Sequence, residues 1–209
     1  MLQQFFENPL FLVVFVPVLL FTIAIHEYAH ARMADYLGDP TGRLMGRMTI
    51  NPLAHIDLFG LLFLFLFGFG WGKPVPFDPF NLKNPRRDAA IISLAGPVSN
   101  FTAAILCSFL LKLITFFPLG IISTIGSPVL QIIISFNILL GVFNLVPIAP
   151  LDGFKIVGGI LPEKKAHEWY QLERYGIIFL LVLIMPVGRT SMLTLLIMPI
   201  IDFLTRLLI

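Results

Sequence analysis

The residues with the clearest capacity for chemistry in this chain are His26, Glu27 and His30, in the run Ile25-His26-Glu27-Tyr28-Ala29-His30. Histidines four positions apart on a helix stand one above the other on the same face. Two imidazoles so placed can share a tetrahedral zinc ion, and the glutamate beside the first can serve as general base. The motif closes an uncharged apolar run from Leu10 to Ile25. An ionisable residue inside a membrane segment is costly and reads as functional by default. A catalytic zinc needs three protein ligands and an open position for water. His55 and Asp152 are the main candidates for the third. Asp152 lies between Leu151 and Gly153 with no basic neighbour nearer than Lys155; a helix cap is an equally good use for an aspartate so placed.

The elements that must position these groups are membrane elements. Of 209 residues, 57% are hydrophobic and 12% charged, half the charge of a soluble domain at about 25%. That excludes an ordinary cytosolic enzyme, and nucleic-acid binding as a main activity. A single cysteine, Cys107, rules out an internal disulfide and a cysteine-rich metal site. No positive segment precedes the first apolar run, so a cleavable signal peptide is not expected. The expected architecture is an all-α polytopic membrane protein, one domain over residues 1–209, with five to six transmembrane helices. A small membrane-associated β-structure or re-entrant segment is expected between the first two clear spans.

The first span is expected from Pro9 to Ala34, ended by Gly38-Asp39-Pro40, which sets the histidines towards one membrane face. Thr41 to Asn51 reads as a strand or hairpin, Asn51 to Asp57 as a turn-rich link. Leu58 to Phe69 is apolar but too short to span, and so is expected to re-enter; the prolines of Lys73 to Pro76 suit an extended edge segment. Irregular backbone at that depth implies a wall of a cavity. Asp88 to Phe117 and Ile121 to Val146 are the next spans, and Pro147 and Pro150 end the latter just before Asp152. Gly176 to Val187 and Thr190 to Leu208 read as two further spans around a tight turn at Gly188-Arg189. Basic residues gather on one side, at Arg43, Arg47, Lys73, Lys83, Arg86 and Arg87 and again at Lys155, Lys164 and Lys165. If Leu58 to Phe69 does not cross, this places the motif near the cytoplasmic face and the N-terminus outside.

The surrounding motifs resemble those of the site-2 protease family of intramembrane zinc metalloproteases. HEYAH matches its HExxH motif, and Asn144-Leu145-Val146-Pro147-Ile148-Ala149-Pro150-Leu151-Asp152-Gly153 its NxxPxxxLDG motif. Ala95-Gly96-Pro97 with Asn100, and Asn51-Pro52 through His55 and Asp57, resemble two further family patterns. The likeness spans about Ile25 to Gly153. It implies one zinc per chain with His26, His30 and Asp152 as ligands, Glu27 as acid/base, and Asn144 as a substrate or oxyanion contact. Asn100 and His55 are further candidates for substrate contact. It also implies a three-helix core with a small β-structure, in a minimal form without PDZ or CBS insertion. The implied substrates are transmembrane proteins in a lipid bilayer. The rival readings are a zinc transporter and a non-catalytic zinc-binding membrane protein; the intact Glu27 argues against the latter.

Overall fold

A computed structural model describes residues 9–67, 70–117, 120–188 and 190–209. The end of the expected Leu58 to Phe69 segment, and Arg189 of the expected tight turn, lie outside these residues. The chain is mostly helical, with little strand. Three helices are long and apolar enough to cross a membrane: α1 (Pro9–Tyr36), α4 (Pro85–Phe116) and α5 (Ile121–Asn144). The later apolar helices, α8 (Gly176–Ile184) and α9 (Met192–Leu208), have 9 and 17 residues. At 1.5 Å per residue they reach only about 14 and 26 Å, against a hydrocarbon core of about 30 Å. Helix length alone therefore carries three of the five to six expected spans.

The core is built on α4, which packs against α1, α5 and the short helix α6 (Asp152–Ile160). Its apolar centre is Ala104 and Leu111 of α4, Ile134, Ile138 and Val142 of α5, and Leu193, Ile197 and Ile201 of α9. A second cluster joins Ala34 near the end of α1 to Ile92 of α4 and Leu82 of the loop before it. The two ends of α1 and α6 that carry the chemical residues are thus clamped to one helix.

The segment between α1 and α4 departs from expectation. Thr41 to Asn51 holds no strand; it opens with the helical turn α2 (Thr41–Leu44). The Asp39 carboxylate accepts the Thr41 N–H at 3.1 Å, the side-chain-to-backbone bond that starts such a turn. Gly46, at a φ of 67°, then turns the chain back. A 3₁₀ turn (Pro52–His55) leads to α3 (Leu58–Phe67), whose start Asp57 caps by accepting the Gly60 N–H at 2.8 Å. Ten residues make α3 about 15 Å long. The returning chain lies against it: a Cβ on Gly60 would stand 2.0 Å from the Trp71 carbonyl oxygen. Ile56 pairs antiparallel with Gly72, and the Lys73 N–H donates to the His55 carbonyl at 2.8 Å. The excursion therefore leaves and returns at one level of the fold. Beyond that bridge, the strand pairing among the described residues is the two-residue hairpin of β1 (Pro186–Val187) and β2 (Thr190–Ser191).

Candidate metal centre

His26 and His30 project from α1 towards α4, both buried, with ring centroids 4.5 Å apart. Their outer nitrogens are held by partners whose direction can be read. Asn137 of α5 donates its Nδ2–H to the Ile133 carbonyl at 2.9 Å, an atom that can only accept. Its Oδ1 must then receive the Asn100 Nδ2–H, at 2.9 Å, which turns Asn100 Oδ1 to His26 Nδ1 at 2.6 Å. His26 Nδ1 is therefore the protonated nitrogen. His30 Nδ1 likewise donates to the Ile92 carbonyl of α4 at 2.7 Å. In neutral imidazoles so fixed, both Nε2 atoms are bare lone pairs.

The third group is Asp152, the first residue of α6. Its Oδ2 lies 3.1 Å from His26 Nε2 and 3.3 Å from His30 Nε2, and the two Nε2 atoms are 2.9 Å apart. Three electron-pair donors thus converge with no proton between them, and Asp152 Oδ2 is a buried oxygen without a hydrogen-bond partner. A tetrahedral zinc with ligands at 2.0–2.1 Å sets the ligand atoms about 3.3 Å apart, close to the separations found. Two nitrogens and one carboxylate oxygen are also one of the donor sets of catalytic zinc sites. Gly96 of α4 floors the cluster: a Cβ there would stand 2.5 Å from His30 Nε2 and 2.6 Å from His26 Nε2. No residue other than glycine fits beneath.

Glu27 is half-buried on the next position of α1, and its Oε2 accepts the Val75 N–H at 2.8 Å. Val75 stands between Pro74 and Pro76, which have no N–H, so the returning loop offers this one amide to the glutamate.

The structure brings His26, His30 and Asp152 together with Glu27 beside them; the other candidates lie differently. His55 is buried apart from the three, its Nε2 on the Thr49 carbonyl at 2.9 Å. The Asp57 carboxylate is spent on the Gly60 N–H at the start of α3. Asn100, expected as a substrate contact, is fully covered and has both ends of its amide engaged, so its partner is His26. Asn144 ends α5 with its amide N–H on the Leu140 carbonyl of its own helix, at 3.0 Å. Sequence reasoning passed over the Ile92 carbonyl, the Val75 amide and Asp39. Of these, only Val75 leaves a signal in the sequence, as the lone donor between two prolines.

A profile of peptidase family M50 matches residues 120–185, a stretch that holds Asp152. The chain is 35% identical over 192 residues to "Putative zinc metalloprotease YwhC" of Bacillus subtilis, covering 90% of this chain and 88% of that one. An alignment of that extent takes in both HEYAH and Asp152. The chain is 26% identical over 161 residues to "Zinc metalloprotease MJ0392" of Methanocaldococcus jannaschii, covering 77% of this chain and 38% of that one. It is 29% identical over 170 residues to "Putative zinc metalloprotease Rip2" of Mycobacterium tuberculosis, covering 78% and 63%. No solved structure matches it.

Proposed function

Since the chain belongs to peptidase family M50, the site-2 metalloproteases, we propose that it hydrolyses peptide bonds within or beside the transmembrane segments of other membrane proteins. The observation that carries this is the convergence of His26 Nε2, His30 Nε2 and Asp152 Oδ2 beside a half-buried glutamate. Those three residues would hold one zinc ion. Zinc, when bound, supplies a Lewis acid and brings the pKa of a water down to about 7.

The protein's own groups do the rest. Glu27 takes a proton from the attacking water and returns it to the leaving amine. The Val75 N–H occupies Oε2 and holds the carboxylate in place, leaving Oε1 for that water. Asn144 would give up its bond to the Leu140 carbonyl and turn its amide N–H to the developing oxyanion. The Asn100–Asn137 relay keeps His26 in the tautomer with a bare Nε2.

The protein works as a multi-pass membrane protein with this site near the cytoplasmic face and the N-terminus outside, a topology supported by its one-sided basic residues. Cysteine labelling from each side, in a Cys107→Ser background, tests it. Labelling near Arg86 from outside would overturn it. Transport would need successive ligand sets along a path, and among the described residues His26, His30 and Asp152 form the sole such cluster.

The test of function is cleavage of single-span membrane proteins by the wild type and by Glu27→Gln. The variant keeps its zinc and loses about 10²- to 10⁴-fold in rate, the contribution of a positioned acid/base. Near-normal cleavage by Glu27→Gln would remove the glutamate from the chemistry.

A further inference from the structure

One buried polar atom belongs neither to the metal cluster nor to the fold. His55 is 2% exposed. Its Nε2–H donates to the Thr49 carbonyl at 2.9 Å, an atom that can only accept, so the neutral ring presents Nδ1 as an acceptor. Among the described residues Nδ1 has no partner, and an unpaired buried acceptor is unfavourable.

His55 lines a cavity of about 450 Å³ whose walls are apolar: Leu19 and Ile23 of α1, Leu61 and Leu64 of α3, Leu140 and Phe143 of α5. Three of its other lining groups have polar side chains already engaged. Asp57 holds the Gly60 N–H, and Ser191 and Thr194 bond to each other at 2.7 Å. Two of its lining residues stand near the proposed catalytic glutamate along the chain. Ile23 lies one helical turn before Glu27 on the same face of α1. Gly72 lies on the loop that three residues later delivers the Val75 N–H to Glu27.

The occupant must be apolar along its length and carry a hydrogen-bond donor. A lipid acyl chain has none. A helical peptide has donors but spends them within the helix, beyond its first turn. An extended apolar peptide has an unspent N–H at each residue. We infer that His55 Nδ1 accepts a backbone N–H of an unwound, apolar substrate segment lying in this cavity, and so sets the register of that segment against Glu27. The inference rests on the proteolytic reading above and makes His55 a substrate-positioning residue.

The test uses the zinc-loaded full-length protein and two sets of synthetic leucine- and alanine-rich hexapeptides, about 20 Å long when extended. One set carries a zinc-binding hydroxamate at the N-terminus, the other at the C-terminus. Within each set, single backbone amides are replaced in turn by esters, which removes one N–H at a time. Binding is read by displacement of a fluorescent analogue. One ester position should weaken binding to the wild type by about tenfold, the scale of one hydrogen bond. The same replacement should leave binding unchanged in His55→Gln. Glutamine reaches the Thr49 carbonyl with its Nε2–H but has no acceptor at the Nδ1 position, so its zinc content and thermal midpoint should match the wild type. His55→Asn reverses this: it loses the tie to Thr49 and melts earlier, but keeps the ester-sensitive position through Oδ1.

If no ester position distinguishes wild type from His55→Gln, the acceptor role is wrong. The same holds if His55→Asn alone loses binding, which would mark a structural histidine. If the wild type binds no hydroxamate peptide of either set, the proteolytic reading falls together with this one.

Discussion

Asp39 and Asp152 are carboxylates carried into the interior of the same chain, and their surroundings are opposite. Asp39 is fully covered, though at shallow depth, and accepts four hydrogen bonds: from the Thr41 N–H and Oγ1–H, the Asn81 Nδ2–H at 2.8 Å and the Asp78 N–H at 2.8 Å. Asp152 turns an oxygen without a donor towards two bare imidazole nitrogens. The saturated carboxylate ties the end of α1 to the loop before α4, while the unsaturated one has the surroundings of the zinc ligand proposed above. A buried charge met by donors on both oxygens is a structural clasp; one facing lone pairs has the surroundings of a ligand. Burial alone says nothing of which it is.

The same substitution at both positions separates the two roles. Asp152→Asn should reduce bound zinc, measured by metal analysis of the purified protein, to background and cleavage with it. Without zinc its thermal midpoint should equal or exceed that of the metal-free wild type, since the amide N–H can donate to the bare Nε2 atoms and the unpaired anion is gone. Zinc retained at full stoichiometry in this variant would remove Asp152 from the site. Chelation of the wild type should lower its midpoint, because a ligand that binds only the folded state stabilises it by about 2–4 kcal/mol at saturating levels.

A smaller effect is expected one step back from the ligands. Asn100→Ala frees His26 Nδ1 and breaks the relay to Asn137, which should weaken zinc binding about 10- to 100-fold. Competition with a chelator of known affinity measures this. Unchanged affinity would mean that the tautomer is held without the relay.

Asp39→Asn should show the smallest effect on chemistry and the converse pattern. It keeps its zinc but loses bonds to a charged acceptor, destabilising the fold by about 2 kcal/mol in thermal or denaturant unfolding. The pH dependence follows. Burial raises the Asp39 carboxyl, but the bonds from Thr41, Asn81 and Asp78 outweigh it and hold it below its ordinary value. Its folded pKa therefore lies below the unfolded one near 3.9. The stabilisation is fully present above about pH 4 and is lost as pH falls through the folded value. The wild type should thus lose stability there more steeply than Asp39→Asn. Parallel acid curves for the two proteins would break the contrast with Asp152.

What could be read without the fold was local periodicity and chemical type. Four-residue spacing puts His26 and His30 on one face of any helix, and the uncharged run before them makes that helix a membrane one. The apolar runs behind α4 and α5 are equally plain, because length and composition alone bring a helix into a bilayer. The stretch from Thr41 to Asn51 reads as a strand or hairpin yet opens with a helical turn, because its outcome hangs on Asp39, whose carboxylate starts that turn while also holding Asn81 and the Asp78 amide. Nothing in the residue types distinguishes Asp39 from Asp152, or His55 from His30. Which of them meets donors, lone pairs or an apolar cavity depends on residues far along the chain, from Asp78 against Asp39 to Asp152 against His26, brought close only when α1, α4, α5 and α6 pack. Hydrogen bonding and metal binding need atoms within about 3 Å, and only the tertiary structure sets distances on that scale.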